Sequence, residues 1–239
     1  MRIHKLSILV PAYNEEKTIS EVLARLSELP LPDGMDKEVI VVNDCSKDQT
    51  GVVISEFVSK EPTEVFKCFD QPHNQGKGAA LHKAIELATG DYIVIQDADL
   101  ELNPSDILLL LNGLKEKNTD VIYGSRFLNN THENTSFLWH IMGNGFLTKL
   151  SNLFTGFHLT DMMTCYKLIP AEIIKAMPLK EKRFGFEPEV TLRLSKIKGL
   201  RIAEVPISYV ARNKTEGKKI NYKDGFRVIY CILKYKFSK

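Results

Sequence analysis

The stretch Tyr92-Ile93-Val94-Ile95-Gln96-Asp97-Ala98-Asp99-Leu100-Glu101 sets a short apolar run directly against three acids at alternate positions. An uncharged run of aromatic and β-branched residues reads as a strand buried on both faces, the kind found in parallel sheets. The polar turn after it then lies at the carboxyl end of the strand, where open α/β sheets bind their ligands. Continued in extended form, that turn would point Asp97, Asp99 and Glu101 the same way. Three convergent carboxylates repel one another unless a cation neutralises them, and their hard oxygens suit Mg²⁺ or Mn²⁺. A D-x-D also arises by chance in solvated surface turns; the strand in front of this one favours a site.

Working outward, the same alternation recurs. Strands are expected at Leu6 to Val10, Glu38 to Asn43, Glu64 to Phe69, Tyr92 to Gln96 and Asp120 to Gly124, with helices at Glu15 to Ser27, Gln49 to Val58, Lys77 to Ala88 and Pro104 to Lys115. This is an α/β chain with a mostly parallel central sheet flanked by helices. The segments after the strands are polar: Pro11 to Glu16, Asp44 to Asp48, Gln71 to Gly78, Asp97 to Glu101 and Ser125 to Phe127.

Beyond Phe127 the alternation stops. Leu128 to Ser136 reads as a surface loop. Phe137 to Phe157 is dominated by Phe, Leu, Trp and Met, which fits a core helical hairpin or a membrane-facing, acceptor-binding surface. Thr160 to Ile169 reads as extended, Glu187 to Lys196 as a helix, Arg201 to Val210 as a strand and Lys223 to Tyr235 as a final helix.

No second domain boundary is visible, so residues 1–239 are expected to form a single domain, with 222–239 a basic amphipathic C-terminal helix. No apolar run approaches the ~18 residues of a membrane span, and the N-terminus lacks a signal-peptide pattern, which points to the cytoplasm. The four cysteines are scattered without C-x-x-C spacing and are expected to be reduced. From Arg212 onward there are nine basic residues against two acidic ones. Such a tail suits an anionic membrane surface or a phosphate ligand, or is simply a solvated helix. Phe226, Ile229, Ile232 and Leu233 alternate with those cations and are candidates for gripping a lipid surface.

Other candidates follow from position. Glu15 and Asp44 are placed to accept hydrogen bonds from a base or ribose hydroxyl, or to cap helices. Lys77, opening a helix, is placed to meet an anion there. Arg126, Arg212, Lys218 and Lys219 follow strands and are able to flank a phosphate, arginine through two parallel hydrogen bonds. Asp161 is an acid among apolar neighbours, suited to a site role or to a buried structural bond. Gly76-Lys77-Gly78 is not a dinucleotide fingerprint, which belongs in the first strand-to-helix turn, nor does it match the phosphate loop of NTPases. The first turn, Pro11 to Glu16, is not glycine-rich, which speaks against a sugar nucleotidyltransferase.

The ordered motifs LVPAYNEEKTI, VVNDCSKDQT, NQGKGAAL, IQDADLE, YGSRF, TDMMTCYK, FGFEPEV and EVPISY, followed by Arg212 and the GKK triplet, cover Leu6 to about Lys219. In order and spacing they resemble the family 2 inverting glycosyltransferases, particularly the dolichol-phosphate mannose and glucose synthases. The resemblance implies a glycosyltransferase-A-type nucleotide-binding fold. It implies inverting transfer of a hexose from a GDP-mannose or UDP-glucose type donor to a polyprenyl or dolichyl phosphate. Pro11, Tyr13, Glu15 and Asp44 would line the nucleotide pocket, with Lys77 and Asp97 beside the diphosphate. Asp97, Asp99 and Glu101 would hold Mg²⁺ or Mn²⁺, while Arg126, Arg212 and Lys219 would hold the acceptor phosphate. Asp99, Arg126 and Asp161 are then the expected catalytic residues, with Asp161 in the family's base-like position. Glu101 replaces a frequent Gln and Lys218 a frequent Ser of the mannose synthases, which leaves the donor sugar open. The alternative acceptor is a saccharide hydroxyl. The enzyme is expected to attach peripherally to the cytoplasmic face of a membrane, and no nucleic-acid partner is expected.

Overall fold

The computed structural model describes residues 3–32, 34–62, 64–128, 138–211 and 222–238. Its strands are β1 (Lys5–Ala12), β2 (Asp36–Asn43), β3 (Phe66–Asp70), β4 (Tyr92–Ile95), β5 (Val121–Ser125), β6 (Lys167–Pro170) and β7 (Ile202–Pro206). Its helices are α1 (Ile19–Glu28), α2 (Thr50–Val58), α3 (Lys77–Leu87), α4 (Ile107–Glu116), α5 (Leu138–Thr155), α6 (Ala171–Ala176), α7 (Phe186–Leu194) and α8 (Tyr222–Phe237). A single 3₁₀ turn, Pro104–Asp106, leads into α4.

The strands form one sheet in the order β3-β2-β1-β4-β6-β5-β7. β1 lies parallel between β2 and β4, Leu9 facing Ile40 on one side and Ile95 on the other. β6 runs antiparallel to both its neighbours, with Ile169 opposite Ile93 and Leu168 opposite Ile122. β5 and β7 are parallel again. One edge of the sheet therefore collects the carboxyl ends of six strands and the amino end of β6. Helices cover both faces of a core in which Leu6, Ile8, Leu9, Ile40, Val41, Ile93 and Ile122 are fully buried.

Glu38 shows how the parallel half is tied together at its opposite end. Its buried carboxylate accepts from Ser7 Oγ (2.6 Å), Lys67 Nζ (2.8 Å) and Thr89 Oγ1 (2.9 Å). Burial opposes its ionisation, but these donors outweigh that cost and hold the carboxyl at about 2.

The structure corrects several expectations. Phe137 to Phe157 is not a hairpin: α5 is one continuous helix through Gly143 and Gly145. It ends where the Asn152 amide accepts from Leu159 N–H and donates to Leu159 C=O, after Gly156 turns the backbone at φ +74°. Thr160 to Tyr166 is irregular, because the amides of Thr160 and Asp161 donate to the Glu204 carboxylate and join no strand. α1 starts at Ile19, four residues late. Glu15 N–H donates instead to Thr50 Oγ1 (2.8 Å) and Thr18 Oγ1 to Ala98 C=O (2.9 Å), which fixes a turn across the sheet edge. The loop from Asn129 to Ser136, and Arg212, Lys218 and Lys219, lie outside the described residues.

Candidate active site

At the carboxyl edge, the sequence-predicted residues separate into two groups joined by Asp97. On the β1–β4 side, Pro11 is buried beside Val42 at the end of β1, with Tyr13 and Glu15 in the turn after it. Asp44, at the end of β2, has both oxygens engaged by its own chain. Oδ1 takes Gln71 Nε2 (2.9 Å) and Gln75 N–H (2.8 Å); Oδ2 takes Asn74 Nδ2 (2.8 Å) and Gly76 N–H (2.7 Å). These bonds make Asp44, expected to accept from a base or ribose, also the residue that folds the loop in front of α3.

The same loop is held from the other side. A Cβ on Gly76 would come within 2.6 Å of the Lys182 carbonyl oxygen, and one on Gly78 within 2.3 Å of the Glu181 carbonyl oxygen. The Ala79 amide donates to Lys182 C=O (3.1 Å). Gly76 also needs its positive φ of +98°. The start of α3 is thus fixed from two sides, and it presents Lys77 to the site.

Lys77 Nζ lies 2.6 Å from Asp97 Oδ1 and 3.9 Å from Glu187 Oε1. Burial disfavours the Lys77 charge, but Asp97 and Glu187 more than compensate and raise its pKa. For Asp97 burial works against ionisation, and Lys77 holds the carboxyl below its usual range. After Gln96 the chain bends, so the extended continuation that would align three carboxylates does not form. Asp99 Oδ1 accepts from Glu101 N–H (3.1 Å), and Glu101 Oε2 from the Tyr209 hydroxyl (3.2 Å). Among the described residues no group of three metal-ligating side chains is assembled. The side-by-side alignment of Asp97, Asp99 and Glu101 expected from an extended turn is thus not what these residues form. What remains fits a hard divalent cation through its donor chemistry: Asp97 and Asp99 supply carboxylate oxygens on one turn, and a cationic ammonium already sits against Asp97.

On the β5–β7 side, Arg126 and Asp161 meet each other. Arg126 Nε donates to Asp161 Oδ2 (2.7 Å), Nη2 to Oδ1 (2.9 Å) and the Arg126 amide to Oδ2 (3.2 Å). Asn144 Nδ2 of α5 adds a bond to Oδ1 (2.9 Å). Asp161 is fully buried; burial would raise its pKa, but the guanidinium charge and these donors hold it low. The Tyr209 ring lies 5.2 Å from the guanidinium carbon. Glu204 of β7 fixes the backbone of the pair's acid, accepting from Asp161 N–H at 2.9 Å.

Several residues here were not singled out by sequence. Glu187, Asn144, Tyr209 and Glu204 come from α7, α5 and the β7 region, far along the chain from their partners. Glu187 was visible only as a member of FGFEPEV. Its signal is two acids, Glu187 and Glu189, within a helix whose every residue is buried.

Residues 7–177 match the family model described as glycosyl transferase family 2. Among similar curated proteins, a dolichyl-phosphate beta-glucosyltransferase of Trichomonas vaginalis is 29% identical, covering 96% of this chain and 72% of its own length. A dolichol-phosphate mannosyltransferase of Pyrococcus furiosus is 27% identical over 97% of this chain and 64% of its own. Among solved structures, glucosyl-3-phosphoglycerate synthase from Mycobacterium tuberculosis, in complex with Mn²⁺, UDP and phosphoglyceric acid, superposes with a TM-score of 0.72. It covers 99% of this chain and 80% of its own at 20% identity, which shows a shared glycosyltransferase-A-type fold. With 171 consecutive positions spanned by one family model and the sheet edge built as that fold requires, the chain is a member of glycosyl transferase family 2.

Proposed function

We propose that this protein transfers a hexose, with inversion, from a nucleoside-diphosphate sugar to a polyprenyl phosphate at a membrane surface. The observation that carries the acceptor choice is the state of Asp161. Both its oxygens are occupied, by the two-pronged Arg126 contact and by Asn144, and its carboxyl is held ionised. A carboxylate so engaged orients a guanidinium better than it takes a proton from a hydroxyl. A phosphate monoester, with a second pKa near ~6, is already largely dianionic at neutral pH and needs no strong base. The names of the similar dolichyl-phosphate transferases support the same acceptor.

On this reading Pro11, Tyr13 and Glu15 line the nucleotide pocket and Asp44 keeps its loop folded. Asp97 and Asp99 would hold Mg²⁺ or Mn²⁺, with Glu101 behind them on Tyr209; the ion would offset charge developing on the departing diphosphate. Lys77, at the first position of α3, faces that diphosphate where a helix N-terminus favours anions. Arg126 binds the acceptor phosphate with the edge of its guanidinium that Asp161 leaves open, and Arg212 and Lys219 are assigned to the same phosphate. Attack from the face opposite the diphosphate inverts the anomeric centre, giving a β-linked product from an α-linked donor.

Two helix faces support membrane attachment. α5 buries Thr148 and Ser151 while exposing Phe146 (60%) and Leu153 (77%), the reverse of an ordinary surface helix. α8 exposes Phe226 (71%) and Phe237 (79%) among its lysines; Ile232, expected on that face, is buried in the core. No helix among the described residues is long and apolar enough to cross a membrane. We assign the protein to the cytoplasmic face as a peripheral enzyme.

Replacing Asp161 by Asn tests the acceptor choice. With a short polyprenyl phosphate the expected loss in kcat is about tenfold, because Arg126 loses an orienting charge; a general base would give ~10²–10⁴-fold. A loss of that larger size, with donor binding intact, would move the assignment to a saccharide hydroxyl.

A further inference from the structure

Glu187 has two oxygens in unlike states. Oε2 is paired with the fully buried Lys167 ammonium. Oε1 is buried and has no hydrogen-bond partner among the described residues. Lys77 Nζ lies 3.9 Å from it, beyond hydrogen-bond reach, because that ammonium is drawn onto Asp97 at 2.6 Å. A buried carboxylate oxygen left unmatched is costly and calls for a physical reason. The backbone beneath Lys77 cannot supply the missing bond by moving, since Gly76 and Gly78 are packed against the carbonyls of Lys182 and Glu181. Only the flexible lysine side chain has that freedom.

We infer that Lys77 is a positioning residue with two stations, Asp97 before a divalent cation is bound and Glu187 afterwards, and that Glu187 Oε1 is kept open as the second station. The inference rests on the reading of Asp97 as a metal ligand. In the first station the ammonium neutralises Asp97 and competes with the cation for it. In the second it is repelled from Asp97 by the arriving charge, completes the shell of Glu187, and remains at the N-terminus of α3, where it can engage a diphosphate oxygen. The shift needed, from 3.9 Å to a hydrogen-bonded ~2.9 Å, is about 1 Å. Lys167 stays on Oε2 throughout and holds Glu187 in place.

Mn²⁺ affinity, read from the electron paramagnetic resonance signal of the free ion, tests this without turnover. It is measured on the whole chain with and without GDP or UDP. Lys77→Met is expected to tighten nucleotide-free Mn²⁺ binding about tenfold, by removing the competitor, and to weaken binding of the nucleoside diphosphate. Glu187→Gln is expected to weaken nucleotide-free Mn²⁺ binding about fivefold, because Lys77 then has no second station. In a Lys77→Met background Glu187→Gln should change Mn²⁺ affinity by less than about twofold. Equal effects of Glu187→Gln in both backgrounds would overturn the inference, since Glu187 would then act through the fold or as a ligand itself. An unchanged affinity in Glu187→Gln would also overturn it. Because Glu187→Gln leaves Lys167 buried without its anion, the same cycle is run with Lys167→Met added, which removes that charge. Wild-type protein that binds no Mn²⁺ with or without either nucleotide would instead refute the metal reading underneath.

Discussion

The two halves of the sheet edge keep their carboxylates in different ways. On the β1–β4 side Asp44 is saturated by amides and backbone N–H groups, neutral donors that freeze a loop. On the β5–β7 side Asp161 is saturated chiefly by a guanidinium, a charge that stays partly open to a ligand. Asp97 lies between them, with the Lys77 ammonium at 2.6 Å and the Cys165 thiol also bonded to its carboxylate. The difference teaches that a buried acid after a strand is not by itself a ligand. What decides its role is whether its partner can leave, rotate or share. Asp44 has no such partner, Asp161 has one that shares, and Asp97 has one that can leave.

The largest expected effect falls on the group whose partner is replaceable. Asp99→Ala, next to Asp97 on the same turn, should lower kcat by roughly 10³-fold, as should stripping divalent ions from the wild type, because charge on the leaving diphosphate goes uncompensated. Steady-state rates with and without chelator check this; a chelator-insensitive wild type would break the contrast at its centre. Arg126→Lys keeps the charge but loses the planar fork shared between Asp161 and the acceptor. It should raise KM for the lipid phosphate and cost on the order of 10–100-fold in kcat/KM, while donor binding by calorimetry stays unchanged.

Smallest is an effect on stability away from the site. Glu38→Gln should cost about 2–3 kcal/mol in urea unfolding, since Lys5 and Lys67 are partly solvated and lose a buried anion. The sign with pH follows from the depressed carboxyl. Its contribution is full above the ordinary carboxylate value of 4.5 and is lost as pH falls toward about 2. The gap in stability between wild type and variant should therefore close across that window, and a constant gap would contradict the assignment.

The parallel half of the fold was legible because β1, β2 and β4 are buried along runs of consecutive apolar residues. Tyr92–Ile95 was expected within a residue of its observed end. β6 was not legible as an antiparallel strand: four residues, Lys167 to Pro170, begin with a charge and carry no alternation. α5 misled because its apolar composition fitted a core hairpin, whereas it runs as one helix that buries Thr148 and Ser151. Among the candidate site residues, position after a strand singled out Asp97, Asp99 and Arg126, and an acid among apolar neighbours singled out Asp161. Partnership was invisible, since Arg126 meets Asp161 across 35 residues and Lys77 meets Glu187 across 110, contacts that no local pattern encodes.

The most direct test of the account is product formation from GDP-mannose, UDP-glucose and UDP-N-acetylglucosamine, each with Mn²⁺ or Mg²⁺ and a short polyprenyl phosphate. The account predicts an acid-labile, β-linked glycosyl phosphate lipid from one of these donors. Turnover that requires a saccharide acceptor, with the polyprenyl phosphate inert, would contradict it and return Asp161 to the role of base.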